Sequence, residues 1–179
     1  MDMRFSFLVP VAMIGVLLIC FTSCTSSIFN VRAKQPYRYE LKYGESVLLR
    51  NGYAIVPKHA PPAVHRMVTA GNMIKGLPYK LGGGHKRIND NGYDCSGAVS
   101  YVLIKAGLLG SPMTSNGFKK YGRRGKGDWV TIYAKNGHTF LVVGGLRFDT
   151  GYNGQGRGPK WTVHDRPTRG HVMRHPVGL

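Results

Sequence analysis

Apolar residues recur at helical spacing in two stretches near the middle of the chain. Between Ala63 and Lys75 they form one face, and Pro61-Pro62 just before it suits the first turn of a helix. In the second stretch Asp94 is a good N-cap, and Gly107 is a residue type that often ends a helix. The pattern therefore predicts one helix over residues 63–75 and another between Asp94 and Gly107.

Short β-branched and aromatic runs predict strands on both sides of these helices. A hairpin is expected at Asn51-Gly52, a strong turn signal between two apolar runs. The predicted strands cover residues 37–43, 46–49, 53–56, 129–133, 139–143 and 146–150, with edge strands at 161–163 and 171–174. A helical layer followed by antiparallel strands is an α+β pattern.

The first 24 residues predict a secretory signal peptide. Arg4 supplies a positive start, residues 5–21 are apolar, and small residues then lead to Cys24. This ending resembles a bacterial lipoprotein signal, in which the cysteine becomes the lipidated first residue of the mature chain. A signal cleaved without lipidation and an uncleaved membrane anchor are the alternatives.

The chain is strongly basic, with a net charge of +17 and only eight acidic residues. Such a surface suits an anionic partner, which for an exported protein means cell-envelope polymer or lipid rather than nucleic acid. Residues 107–127 form a predicted loop, rich in Gly, Ser and Pro, that carries Lys119, Lys120, Arg123, Arg124 and Lys126. We expect this loop to be either a solvated surface segment or the rim of a groove for an anionic substrate.

Cys95 is the candidate nucleophile of the chain. Of the three cysteines, Cys20 leaves with the signal and Cys24 is the lipidation site, so Cys95 has no partner for a disulfide. It follows the N-cap Asp94, and the partial positive charge at a helix N-terminus favours a thiolate. The alternative is a small buried core cysteine.

A cysteine nucleophile needs a base, and the base needs a group that orients it. His138 begins one predicted strand, and Asp149 lies near the end of the next. If Gly144-Gly145 is the turn between them, Asp149 returns to the side of His138 and fixes its tautomer. Cys95, His138 and Asp149 are therefore the predicted catalytic residues, with a backbone N–H of Cys95 or Ser96 stabilising the oxyanion.

Several of these residues lie in motifs that resemble the NlpC/P60-type, papain-like cell-wall peptidases. The motifs are Leu77-Pro78-Tyr79 with Gly82-Gly83, Tyr93-Asp94-Cys95-Ser96-Gly97, Gly127-Asp128 and Gly137-His138, within residues 62–150. The resemblance implies a helix that bears the Cys nucleophile, packed on a small antiparallel sheet. It also implies that Cys95 is the nucleophile, His138 the base and Asp149 the orienting residue, and that Tyr79 borders the cleft near the oxyanion.

The chain departs from the family pattern in two places. Asp149 stands where His is common, after a one-residue gap, and the bulky Phe140 replaces a usual glycine, which affects the shape of the pocket. Three histidines, His164, His171 and His175, lie outside the shared motifs. Their spacing matches no standard zinc pattern, so we expect solvated or packed side chains and neither a metal nor a cofactor.

These observations divide the chain into a signal peptide (1–24), a tether with a β-hairpin arm (25–61) and a papain-like catalytic domain (62–179). The expected function is hydrolysis of amide bonds in peptidoglycan stem peptides by an exported, lipid-anchored monomer of the bacterial envelope. One alternative is another Cys-dependent amidase or acyltransferase of the envelope. The other is a basic lipoprotein that binds the cell wall without cutting it.

Overall fold

The computed structural model describes residues 46–151, 158–163 and 166–179. The predictions for the signal peptide, for Cys24, for the tether with its strand over 37–43, and for His164 fall outside these residues. Within these ranges, no helix has the length and apolar character needed to cross a bilayer.

Three helices and eight strands make up the described part of the chain. The helices are α1 (Pro62–Ile74), α2 (Cys95–Lys105) and α3 (Ser115–Phe118). The strands are β1 (Leu48–Arg50), β2 (Tyr53–Ile55), β3 (Arg123–Arg124), β4 (Val130–Lys135), β5 (His138–Val143), β6 (Leu146–Asp149), β7 (Lys160–Thr162) and β8 (Val172–His175).

The strands form two antiparallel sheets, so the α+β prediction is confirmed. β1 and β2 pair as a hairpin, and the other six strands form one sheet in the order β3-β8-β4-β5-β6-β7. The centre of this sheet is the meander β4-β5-β6, whose turns place the end of β6 beside the start of β5. The sheet therefore brings together residues that are 11 positions apart in sequence.

Both long helices bury the faces that their apolar spacing predicted. The buried residues of α1 are Val64, Met67, Val68, Ala70, Gly71 and Ile74. Gly71 has to be small because an added Cβ would lie 2.4 Å from Cζ2 of Trp161, on β7. In α2, every residue from Cys95 to Leu103 is buried, so this helix is enclosed rather than amphipathic.

The predicted hairpin at Asn51-Gly52 is present, and both residues have the positive φ angles, 50° and 77°, that such a turn needs. It is fixed to the rest of the domain by hydrogen bonds. Asn72 of α1 accepts from the N–H of Ala54 at 3.0 Å and donates to its carbonyl at 2.9 Å. The N–H of Val47, a fully buried residue, donates to the carbonyl of Gly144 at 3.0 Å.

The stretch over 107–127 is more ordered than the predicted loop. It contains α3, which is capped by Thr114 and anchored by the fully buried Phe118, and then the short strand β3. The sequence pattern did not predict this helix, because a helix of four residues needs only one capping residue and one buried apolar residue. Two such residues are too few to form a periodic pattern. Ordering this stretch gives its basic residues fixed positions beside the sheet.

Candidate active site

Cys95 is the first residue of α2, and Asp94 caps the helix as predicted. The Asp94 carboxylate accepts from the N–H of Gly97 at 2.7 Å. The Cys95 thiol is free and 9% exposed, and Sγ lies 4.0 Å from the carbonyl oxygen of Gly137, in the turn between β4 and β5. The nucleophile predicted from the sequence therefore faces the sheet, next to the residue that precedes His138.

A glycine-rich loop packs directly against the first turn of α2. A Cβ on Gly97 would lie 1.9 Å from the carbonyl oxygen of Gly83, and one on Gly83 would lie 2.3 Å from that of Gly92. Gly82 and Gly84, which flank Gly83, both have positive φ angles. Backbone contacts this close require glycine, which explains the three consecutive glycines at 82–84.

Ser96 belongs to a polar network beneath the helix start. Its hydroxyl donates to Asp94 at 3.0 Å and lies 3.1 Å from Nε2 of His85, which is itself 3.2 Å from Asp94. The N–H of Gly82 donates to the other Asp94 oxygen at 3.0 Å. The Ser96 hydroxyl is already hydrogen-bonded within this network. The group of Ser96 that can donate to an oxyanion is therefore its backbone N–H.

Tyr79 lies on the strand-like segment that runs beside the entry to α2. It forms a parallel bridge with Tyr93, supported by hydrogen bonds from the N–H of Tyr93 to Pro78 and from the N–H of Lys80 to Tyr93. Its side chain is 39% exposed. The backbone of Tyr79 is thus held near Cys95, and its ring is open to solvent, as a residue that borders a cleft would be.

His138 and Asp149 are in contact, as the spacing of the two strands predicted. Nε2 of His138 donates to Oδ1 of Asp149 at 3.1 Å. Because the carboxylate takes Nε2, Nδ1 is the ring nitrogen left for Cys95, whose thiol lies close enough to raise the pKa of His138. The structure therefore brings the three predicted catalytic residues together: Sγ of Cys95 meets the carbonyl of Gly137, and the next residue, His138, bonds to Asp149.

Asp149 is enclosed by positive groups. Its side chain is 1% exposed, and Oδ1 also accepts from the N–H of Thr150 at 2.8 Å. Oδ2 accepts from Nη1 of Arg166 at 2.8 Å and lies 3.6 Å from Nε of Arg147. A buried carboxylate needs such partners to remain ionised.

The pKa values of the pair shift in opposite directions. Burial lowers the pKa of His138, but the hydrogen bond to Asp149 and the nearby Cys95 thiol outweigh burial, so the pKa lies above its ordinary value. Burial raises the pKa of Asp149, but His138 and Arg166 together hold it below its usual range. These shifts favour an imidazolium beside a carboxylate, the charge state that stabilises a neighbouring thiolate.

Aromatic rings support the imidazole from the sheet. Phe140, two residues along β5 and therefore on the same face, has its ring centroid 6.2 Å from that of His138 and stacks on Tyr133 at 4.8 Å. His171 meets His138 edge-on at 6.3 Å and Phe140 at 5.3 Å. The bulky Phe140 thus packs beneath the histidine.

The basic stretch over 107–127 reaches the site at one point. Nζ of Lys119 donates to Oδ1 of Asn136 at 2.9 Å, in the same turn as Gly137. Arg174 of β8 holds this segment through a 2.7 Å hydrogen bond from Nε to the carbonyl of Lys119. Lys119 therefore lies at the edge of the turn that carries His138, while Arg123 and Arg124 lie on the edge strand β3.

Sequence reasoning missed three residues that surround the site: His85, Arg166 and His171. His85 follows the glycine run directly, which was the only local signal for it. No periodic pattern marks Arg166 or His171, and both reach the site through tertiary contacts. His175, the other described histidine of the tail, contacts the carbonyl of Gly125 instead, and within the described ranges no three potential metal ligands are grouped together.

Known structures resemble this arrangement at low sequence identity. An NlpC/P60 family protein from Bacillus cereus ATCC 10987 matches with a TM-score of 0.51 and 19% identity, over 80% of this chain and 51% of its own. NlpC1 from Trichomonas vaginalis matches with a TM-score of 0.51 and 15% identity, over 73% of this chain and 54% of its own. NlpC2 from the same organism matches with a TM-score of 0.51 and 13% identity, over 73% of this chain and 57% of its own. The fold is that of the NlpC/P60 proteins.

The NlpC/P60 resemblance drawn from the sequence motifs is thus confirmed at the level of fold. The chain spans about half the length of these structures. No protein-family model matches the chain, and no curated protein does. In this chain the start of α2 lies against the meander β4-β5-β6, and that junction holds Cys95, His138 and Asp149.

Proposed function

We propose that this protein is a cysteine peptidase that hydrolyses amide bonds in peptidoglycan stem peptides. The observation that carries the proposal is the cluster of Cys95, next to the carbonyl of Gly137, with His138 and its hydrogen-bond partner Asp149. A nucleophile, a base and a buried group that orients the base are the parts that thiol-dependent acyl transfer requires.

In the first step, Nδ1 of His138 takes the proton of the Cys95 thiol, and Sγ attacks the carbonyl carbon of the scissile amide. Asp149 fixes the tautomer because it holds the other ring nitrogen, and it stabilises the imidazolium that forms. His138 then gives its proton to the leaving amine as the C–N bond breaks. A thioester remains on Cys95.

The tetrahedral intermediate carries a negative oxygen that needs hydrogen-bond donors. The N–H groups of Cys95 and Ser96 occupy the first two positions of α2, which have no intrahelical acceptor. Among the described residues neither N–H has another acceptor. These two groups, with Tyr79 at the border of the cleft, form the proposed oxyanion site.

In the second step, a water molecule attacks the thioester carbonyl carbon while His138 removes a proton from that water. The C–S bond breaks, the carboxylic acid leaves, and the thiol regains its proton. Peptidoglycan as the substrate rests on the likeness of the sequence motifs to cell-wall peptidases and on the net charge of +17, which suits an anionic polymer. Export by the signal over residues 1–24 and lipidation at Cys24 complete the proposal.

The test is digestion of purified sacculi by the full-length protein, followed by mass spectrometry of the released muropeptides. We expect stem-peptide fragments that disappear with Cys95→Ser and with His138→Gln. His65→Gln is the matched control, because His65 is a histidine on the outer side of α1 whose ring hydrogen-bonds to the carbonyl of Lys58, away from Cys95. Sacculi left intact by folded protein would overturn the peptidase proposal, and co-sedimentation without cleavage would favour a wall-binding lipoprotein.

A further inference from the structure

Arg166 makes a short ionic contact within the candidate site that the Cys–His–Asp series does not explain. Nη1 of Arg166 donates to Oδ2 of Asp149 at 2.8 Å and to the carbonyl of Gly151 at 2.6 Å. The guanidinium also lies over the ring of Phe140, at 5.8 Å from its centroid. These contacts hold Arg166 between the end of β6 and the aromatic support of His138.

The two oxygens of Asp149 are divided between different partners. Oδ1 accepts from His138 and from the N–H of Thr150, whereas Oδ2 accepts from Arg166 and faces Arg147. A carboxylate bonded on both sides cannot rotate away from the imidazole without losing a charge-assisted hydrogen bond. Arg166 therefore restricts the orientation of the group that orients the base.

The charge of Arg166 has a second consequence for proton transfer. A buried imidazolium beside a carboxylate holds its proton tightly, but a general acid must release that proton to the leaving amine. Transfer is most efficient when the pKa of the acid lies near the working pH. A positive charge on the far oxygen of Asp149 opposes protonation of His138, as the lowering of the His138 pKa by Arg166 indicates.

We propose that Arg166 is a positioning residue that clamps Asp149 and keeps the proton of His138 transferable. The proposal rests on the roles assigned above to Cys95, His138 and Asp149. It adds a fourth member to the series, one that acts through Asp149 without touching the substrate.

Other charged groups also face His138 and set the background for this effect. Cys95 approaches from α2, Asp149 and Arg147 belong to β6, and His171 precedes β8. Burial lowers the pKa of His171, and Lys135, His138 and Arg166 lower it further. A variant of Arg166 leaves all of these groups in place, so a change in the titration of His138 reports on Arg166.

The test is an NMR titration of the histidine rings in the full-length protein, with the His138 signal assigned by its absence in His138→Gln. We expect Arg166→Gln to raise the pKa of His138, because the opposing charge is lost. We expect Arg166→Lys, which keeps the charge but not the two bonds of Nη1, to leave this pKa near the wild-type value. The downfield Nε2–H signal should broaden in Arg166→Lys because the carboxylate is less well oriented.

Arg174→Gln is the matched control. Arg174 also donates a short hydrogen bond to a carbonyl, that of Lys119, but does not contact Asp149. Its removal should leave the titration of His138 unchanged. A His138 pKa that stays constant or falls in Arg166→Gln would overturn the proposal; if that variant does not fold, an unaltered Nε2–H signal in Arg166→Lys would do the same. The titration needs no substrate. It therefore tests the role of Arg166 even if the protein does not cleave peptidoglycan.

Discussion

Cys95 and His138 reach the candidate site from two regions that are fixed in different ways. The start of α2 is held by its backbone, through a capping aspartate and backbone contacts at which only glycine fits. The end of the β5-β6 pair is held by charged side chains, since Asp149 contacts His138 and Arg166, which are 11 and 17 residues away. One region places the nucleophile by backbone geometry, whereas the other tunes the base by buried charge.

Replacing Asp149 should have the largest effect, because it removes the centre of the charged region. In Asp149→Asn the size of the side chain is kept, but the charge that fixes the tautomer of His138 is lost. We expect turnover to fall about 10³–10⁴-fold, measured on released stem peptides. Full turnover in Asp149→Asn would mean that another group orients His138.

Gly97→Ala tests the backbone region. The added Cβ would lie 1.9 Å from the carbonyl oxygen of Gly83, so the loop or the helix has to move. We expect the free energy of unfolding to fall by about 3 kcal/mol, measured by urea denaturation. Gly110→Ala, where the Cβ would meet nothing within 4 Å, should change it by less than about 0.5 kcal/mol. Equal effects of the two substitutions would contradict the close packing described here.

Asp94→Ala removes the cap and the network below it. Asp94 accepts from the N–H groups of Gly97 and Gly82 and from the hydroxyl of Ser96, so three donors lose their acceptor. We expect a loss of about 2 kcal/mol in the free energy of unfolding, by the same urea assay. Asp94→Asn should cost less, because an amide oxygen can still cap the helix. An equal loss in Asp94→Asn and Asp94→Ala would show that the charge matters more than the cap.

A smaller effect should appear in the pH dependence of stability. The pKa of folded His138 lies above the ordinary value of 6.5, so its ion pair contributes fully at pH values below that value. The contribution is lost as the pH rises through the folded pKa. The free energy of unfolding of the wild type should therefore fall relative to that of His138→Gln across this window. A constant difference between the two proteins would argue against the raised pKa.

The two regions also differ in how far the sequence could predict them. Asp94 and Cys95 are adjacent in sequence, so the cap and the candidate nucleophile could be predicted together, and the glycine run ends only ten residues before Asp94. The contact between His138 and Asp149 followed from strand spacing across the Gly144-Gly145 turn. This success depended on a short hairpin, in which register follows from local turn geometry.

The remaining parts of the site were out of reach of such reasoning. Arg166 lies in a segment without a periodic pattern. Its contact with Asp149 depends on the path by which the chain returns to β6, and the sequence pattern does not determine that path. The burial of Arg147 on β6, at 4% exposure, also breaks the alternation expected of a strand. Charged residues are rarely buried, so pattern reasoning assigns them to the surface unless a partner is known.

The most direct test of the central claim is the rate at which iodoacetamide alkylates Cys95 at pH 6 in the full-length protein, followed by mass spectrometry of the Cys95 peptide. If His138 and Cys95 form a thiolate–imidazolium pair, the wild type should react at least about tenfold faster than His138→Gln. His65→Gln, which removes a histidine on the outer side of α1, should react like the wild type. Equal rates in the wild type and His138→Gln would contradict the pairing of these two residues.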